Sequence, residues 1–211
     1  MTAETPRSPE PLVSICMPAY QASAWIADAI ESALAQTWQN FELVVVDDGS
    51  TDSTLEVAQS YSDPRVRVES NASNVGSAET HNRAIELARG PYVKFLHADD
   101  RLAPDCLAAM VELAEEDPGV GLVFAAREVI AESEEEVAWS TAYAAVHEQF
   151  RGLTRINDGQ ALFEQLVDAG LEENWIGEPS AVLVARRALQ RPAPSTSTFA
   201  RSSTSICGCG S

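Results

Sequence analysis

Leu43-Val44-Val45-Val46-Asp47-Asp48-Gly49-Ser50-Thr51-Asp52 decides how this chain folds. The unbroken apolar run, rich in valine, reads as a parallel strand buried on both faces. It stops abruptly in two carboxylates, a glycine and two hydroxyls, a turn at the carboxyl end of the strand. In an open α/β sheet, ligands bind beyond those ends. A second strand, Tyr92 to Leu96, stops the same way in His97-Ala98-Asp99-Asp100. Two acidic strand ends in one α/β pattern imply one site that uses carboxylates twice.

On either side of this stretch, strands and helices alternate. Leu12 to Met17 reads as a first strand, broken by Pro18-Ala19-Tyr20-Gln21, with Ser23 capping a helix over Ala24 to Ala35. Phe41 to Val46 is the second strand, and Asp52 or Thr51 caps the helix after it. A short strand Val66 to Val68 follows the Asp63-Pro64 turn, and Asn74-Val75-Gly76 is a loop. The helix Ala78 to Arg89 stops at Gly90-Pro91. Pro104 to Glu116 is a helix with proline near its first turn, and Val120 to Ile130 is a strand. Beyond an acidic loop at Glu132 to Glu136, Asp158 caps a helix carrying Leu162 and Leu166, Trp175 to Ser180 turns, Ala181 to Val184 is a strand, and Arg186 to Leu189 begins a helix. Such alternation predicts an α/β fold, a mostly parallel sheet with helices on both faces.

The chain has 211 residues, enough for one domain with a sizeable core. Its 32 Asp+Glu against 14 Lys+Arg give a formal charge of -18. This polyanion is a poor match for nucleic acid or an anionic membrane surface. No apolar stretch reaches the length of a membrane span. Residues 1–10 read as a disordered lead-in with no apolar core of a signal peptide, 11–190 as the folded domain, and 191–211 as a low-complexity, disordered tail. Cys16 in a strand and Cys106 in a helix suit reduced thiols, and a cytoplasmic location, better than a disulfide framework.

Hard divalent cations take oxygen ligands, commonly one or two carboxylates plus substrate phosphates. Asp99 and Asp100 at a strand end offer such ligands; the competing reading makes them, like Asp47 and Asp48, turn residues and helix caps. The occurrence of two such ends in one pattern favours a site.

The chain resembles the family 2 glycosyltransferases of the GT-A fold, a Rossmann-like arrangement. The resemblance is carried in order by Val13 to Tyr20, Gln36 to Leu43, Val46 to Asp52, Asn74-Val75-Gly76, Asn82-Arg83-Ala84-Ile85 with Ala88-Arg89-Gly90, and Lys94 to Asp100. It covers about Pro11 to Leu189. It implies a nucleotide pocket at Pro18, Ala19, Tyr20, Asp48 and Asp99, with Tyr20 stacking and Asp48 accepting from the base, usually uracil. It implies Mn²⁺ or Mg²⁺ at Asp99 and Asp100, and an acceptor region at Asn174, Trp175, Glu178 and Ser180. The donor would be a nucleotide-diphosphate sugar and the acceptor a sugar or glycolipid, so that peripheral contact with the inner face of a membrane is compatible with it. His97 departs from the family, which often has Asp there; a phosphate contact and a strand-end cap are both open to it. His81 and His147 read as solvated helix residues. Trp175 reads as a sugar platform or, more safely, as core.

Inverting transfer also needs a general base. The family usually supplies it from an acidic segment followed by a Leu-Trp-Leu-Arg-like helix, expected here after Leu189. From Leu189 onward there is no Asp or Glu, only Pro, Ser, Thr, Cys and Gly-rich sequence, so the catalytic base is unassigned and the C-terminal part reads as incomplete. Codons permitted for the tail, read one base earlier, allow Phe-Asp-Glu and Leu-Trp-Leu-Arg; a one-nucleotide shift near Gln190 to Pro194 is therefore the expected origin, with a natural low-complexity tail as its competitor. Two other function classes stay open beside a transferase: a nucleotide-sugar-binding remnant without turnover, and a nucleotidyltransferase. The last wants a Gly-rich basic loop after the first strand, which Pro18-Ala19-Tyr20-Gln21 is not. A phosphatase is disfavoured because Val46 stands where its first Asp should be.

Overall fold

The computed structural model describes residues 12–130, 146–171, 175–189, 198–201 and 207–210. In chain order the elements are β1 (Val13–Ala19), α1 (Ile26–Leu34), β2 (Phe41–Asp47), α2 (Thr54–Gln59), β3 (Val66–Ser70), α3 (Ser77–Leu87), β4 (Tyr92–Phe95), β5 (Asp100–Leu102), α4 (Cys106–Glu116), β6 (Val120–Phe124) and β7 (Arg127–Ile130). A 3₁₀ turn (Val146–Gln149), β8 (Ile156–Asp158), α5 (Gly159–Asp168), a second 3₁₀ turn (Pro179–Ala181), β9 (Val182–Ala185), a helical turn (Arg186–Leu189), β10 (Thr198–Arg201) and β11 (Cys207–Gly210) complete it.

The main sheet has the order β3-β2-β1-β4-β9-β6-β10-β8. Its first four strands are mutually parallel. β9 then enters antiparallel to both β4 and β6. β2 is buried at every residue. Its Phe41, Leu43 and Val45 pack on one face with α1 and α4; Val44 and Val46 pack on the other with Ala84 of α3. An apolar run was needed because both faces are covered, and alternation would have left one wet.

The register fixes where the site forms. Ala19 at the end of β1 lies beside Asp47 at the end of β2, and Cys16 beside Phe95 of β4. Three carboxyl ends therefore share one edge. At the opposite edge, Ser14 Oγ donates to Glu42 (2.7 Å) and accepts from Gly90 N (2.8 Å). A Cβ on Gly90 would stand 3.0 Å from Ser14 N, so this glycine serves a close approach as well as ending α3.

Three readings change. The expected strand Val120 to Ile130 is two, β6 and β7, parted at Ala125 and Ala126. Asp100 begins a short strand, β5, rather than preceding a helix directly, and α4 starts at Cys106. The tail composition predicts no regular structure, yet β10 pairs with β6 and β8, and β11 joins β5 and β7 in a three-stranded sheet. A ladder joins backbone N–H and C=O groups, which Ser, Thr and Gly carry as well as valine does. The lead-in, the acidic loop at Glu132 to Glu136 and residues 190–197 lie outside the described residues. Among the described residues no helix is long and apolar enough to cross a membrane.

Candidate active site

The loops after β1 and β2 are tied together first. Gln21 adopts a left-handed backbone (φ 50) and its Oε1 accepts from the N–H groups of Thr51 (2.8 Å) and Asp52 (3.2 Å). Gln21 N donates to Ser50 Oγ (3.0 Å) and Ala22 N to Thr54 Oγ1 (2.7 Å). Asp52 accepts from Thr54 N (3.0 Å) and Ser23 N (3.1 Å); the Thr54 hydroxyl foremost holds its carboxyl at about 2. The helix start expected of Ser23 is thus made differently: α1 has no side-chain cap, and Ser23 is held by Asp52.

Asp47 and Asp48 are both buried, 1% and 3% exposed. Asp48 accepts from Asn71 Nδ2 (2.7 Å), Val75 N (2.9 Å) and Gly76 N (3.0 Å). Arg83 donates to Asn71 Oδ1, which turns the amide nitrogen toward Asp48. Burial alone would raise the Asp48 pKa; the hydrogen bonds from Val75, Asn71 and Gly76 outweigh it and leave the carboxyl below its usual range. This carboxylate organises the Asn74–Gly76 loop, and most of its lone pairs are taken. Gly49 lets that loop approach: it sits at φ +70, and a Cβ there would lie 2.7 Å from the Ser73 carbonyl carbon.

The end of β4 is braced differently. Lys94 is fully buried, with Nζ donating to Phe95 O (2.7 Å) and to Ser180 O. Ser180, also fully buried, accepts His97 N on its Oγ (3.1 Å). Ser180, expected in the acceptor region, is a brace between the 3₁₀ turn at 179–181 and the β4 end. Past this brace, His97, Asp99 and Asp100 bring one nitrogen and two carboxylate oxygens within 4.8 Å of one another. Asp99 is exposed, His97 half-buried and Asp100 buried. His97 Nδ1 lies 3.8 Å from Asp100 Oδ2. Burial pushes the His97 pKa down, against the pull of the Asp100 carboxylate. Ligands held about 2.0–2.6 Å from one hard cation lie within about 4–5 Å of each other, so this donor set fits such an ion.

Two adjoining clefts open over these ends, about 250 and 160 Å³. Together they reach the volume typical of small-molecule sites. The larger runs from Pro18, Ala19 and Tyr20 across Asp48 and Asn74 to His81 and His97. The smaller shares Pro18, Tyr20 and His97 and adds Trp25 and Asp99. Tyr20 and Trp25 are about half exposed there, 51% and 46%. The sequence reading missed Gln21, Trp25 and His81. The sequence reads His81 as a solvated helix residue, yet its Nε2 lies 3.2 Å from His97 Nε2.

In the expected acceptor region, Trp175 packs its ring edge-on to Phe150 at 5.3 Å, and Phe150 is buried against Phe124. Glu178 is exposed and pairs with the buried Arg127 at 3.0 Å. Its charge acts on His97. Asn174 lies outside the described residues, as does the side chain of His147.

The family model of glycosyl transferase family 2 matches residues 14–169, which include all three strand ends of the site. The chain belongs to this family. Within it, an uncharacterised protein of Mycobacterium tuberculosis is 40% identical over 178 residues, 84% of this chain and 54% of that protein. A putative teichuronic acid biosynthesis glycosyltransferase of Bacillus subtilis is 39% identical over 51% of this chain and 43% of its own length. Chondroitin synthase of Escherichia coli is 40% identical over 54% of this chain and 17% of its own. This family 2 chain thus spans about half, or less, of these relatives. The fold is that of GT-A glycosyltransferases: Staphylococcus aureus TarS 1-349 in complex with UDP superposes at a TM-score of 0.69 with 17% identity, over 93% of this chain and 60% of that one. A Pyrobaculum calidifontis mannosyltransferase in complex with GDP-Man and Mn²⁺ does so at 0.60 with 21% identity, over 87% and 47%.

Proposed function

We propose that this chain binds a UDP-linked sugar with Mn²⁺ or Mg²⁺ and transfers the sugar, with inversion, to an acceptor hydroxyl on a sugar or glycolipid. One observation carries the reading: three parallel strand ends meet at a cleft with an aromatic and apolar side and a His/Asp/Asp rim. Pro18, Ala19 and Tyr20 form the side suited to a flat base. Asp48 positions the Asn74–Gly76 loop beside it, with at most one lone pair left for the base. His97, Asp99 and Asp100 would hold the cation, which when bound neutralises charge on the diphosphate leaving group. The acceptor hydroxyl must lose a proton, and we assign that role to Glu178, an exposed carboxylate paired with Arg127.

Calorimetric titration with UDP, with and without Mn²⁺, tests the binding half. Tighter binding with the cation supports it; equal binding in chelator removes the metal from the reading. Turnover of UDP-sugars on the 211-residue chain and on Glu178→Gln tests the other half. Loss of transfer in the variant with UDP affinity retained supports the assigned base. Metal-linked binding with no transfer by the unaltered chain would favour the alternative, a nucleotide-sugar-binding remnant without turnover.

A further inference from the structure

Two histidines meet at the cleft, His81 from a helix and His97 from the loop after β4. His81 lies on α3, four residues after Ser77, and its Nδ1 is 2.7 Å from the Ser77 carbonyl oxygen. A carbonyl oxygen only accepts, so Nδ1 of His81 carries the hydrogen. In the neutral ring, Nε2 is then a bare lone pair. That lone pair faces His97 Nε2 at 3.2 Å, so the hydrogen between the rings belongs to His97. A neutral His97 with its hydrogen on Nε2 has a bare Nδ1. Nδ1 is the atom that lies 3.8 Å from Asp100 Oδ2. The two rings meet edge to face, with centroids 5.3 Å apart, and the Phe95 ring is tilted against His81 at 5.3 Å. His81 is therefore held by its own helix and by packing, while His97 is held through its backbone by Ser180.

We infer that His81 is a positioning residue, which fixes His97 in the tautomer whose bare Nδ1 is the nitrogen beside Asp100, and so tunes the site it forms with Asp99 and Asp100 toward Mn²⁺ over Mg²⁺. The inference rests on the metal reading above and adds the choice of metal. A histidine that ligates through one nitrogen donates the other N–H to a partner that sets its orientation, and losing such a partner costs 10- to 100-fold in metal affinity. Carboxylates suit Mg²⁺ and Mn²⁺ alike, whereas imidazole is a ligand of transition metals rather than of Mg²⁺. One nitrogen among two carboxylates thus moves the preference away from Mg²⁺ without discarding the oxygen ligands that Mn²⁺ accepts.

The test uses the whole 211-residue chain with UDP as the nucleotide. Long-range ¹H–¹⁵N spectra of the unsubstituted chain, labelled at histidine, read the tautomers without any variant. Hydrogen on His81 Nδ1 and on His97 Nε2 is expected; hydrogen on His97 Nδ1 overturns the inference. Calorimetry with Mn²⁺ and with Mg²⁺ then compares three variants. His81→Phe should weaken Mn²⁺ binding by about tenfold or more and Mg²⁺ binding by less. His81→Gln, whose amide oxygen can accept from His97 Nε2, should recover part of the Mn²⁺ affinity. His97→Asp should shift the ratio toward Mg²⁺. Metal-linked UDP binding with an unchanged Mn²⁺ to Mg²⁺ ratio in His81→Phe overturns this inference and leaves the proposed function standing. Absence of metal-linked UDP binding in the unsubstituted chain overturns both.

Discussion

The two acidic strand ends look alike in sequence and differ in what they have left to give. At the end of β2, Asp48 spends its carboxylate on Asn71, Val75 and Gly76, all protein groups. At the end of β4, Asp99 is exposed and stands in a group with His97 and Asp100. One end builds the wall of the cleft; the other faces into it. A carboxylate at a strand end is thus not yet a ligand for anything. Whether it is depends on how many N–H groups the neighbouring loop turns toward it.

The largest expected effect breaks the comparison through stability. Asp48→Ala strands two backbone N–H groups and an amide, and should lower unfolding free energy in urea by about 3 kcal/mol, with UDP binding at least tenfold weaker. Asp99→Ala, exposed, should change stability by less than about 0.5 kcal/mol. Equal losses in the two variants would erase the distinction. Next, Gly49→Ala forces a Cβ to 2.7 Å from backbone at a left-handed φ and should cost about 2 kcal/mol by the same measurement. An unperturbed midpoint would show that the Ser73–Asn74 approach is not tight.

A smaller effect sharpens the β4 side. Asp99→Asn should leave the melting curve in place and remove the gain in UDP affinity brought by Mn²⁺, expected to be on the order of tenfold, or about 1.4 kcal/mol. The smallest effect concerns acid. Asp52 has its folded pKa lowered from 3.8 to about 2, so its contribution is present above about pH 4 and is lost as pH falls toward 2. Thermal melts between pH 5 and 2 should fall less steeply for Asp52→Asn than for the parent; parallel curves would mean that the Thr54 and Ser23 contacts persist in the unfolded chain.

Strand β2 is legible from Leu43 to Val46 because that run is covered on both faces and has no polar residue to interrupt it. The helix at Gly159–Asp168 begins where expected because Asp158 accepts from Ala161 N (2.9 Å), a contact between close neighbours in sequence. Other features depend on distant partners. The three donors to Asp48 lie 23 to 28 residues away, and Ser180 meets His97 across 83. Nothing around His81 marks it, since its neighbours on α3 are mixed and its partner lies in the loop after β4. β9 runs against its neighbours, which an apolar segment does not announce, for it reads alike in either direction.

By itself the sequence determined the α/β class, the three strand ends and the chemical types gathered there, because periodicity and turn residues act over a few positions. The tertiary structure alone decided which acidic end is saturated, which histidine faces the other, and that Ser180 is a brace. Those outcomes depend on hydrogen-bond donors brought together from across the fold, where a carboxylate or an imidazole takes the role that its nearest partners leave open.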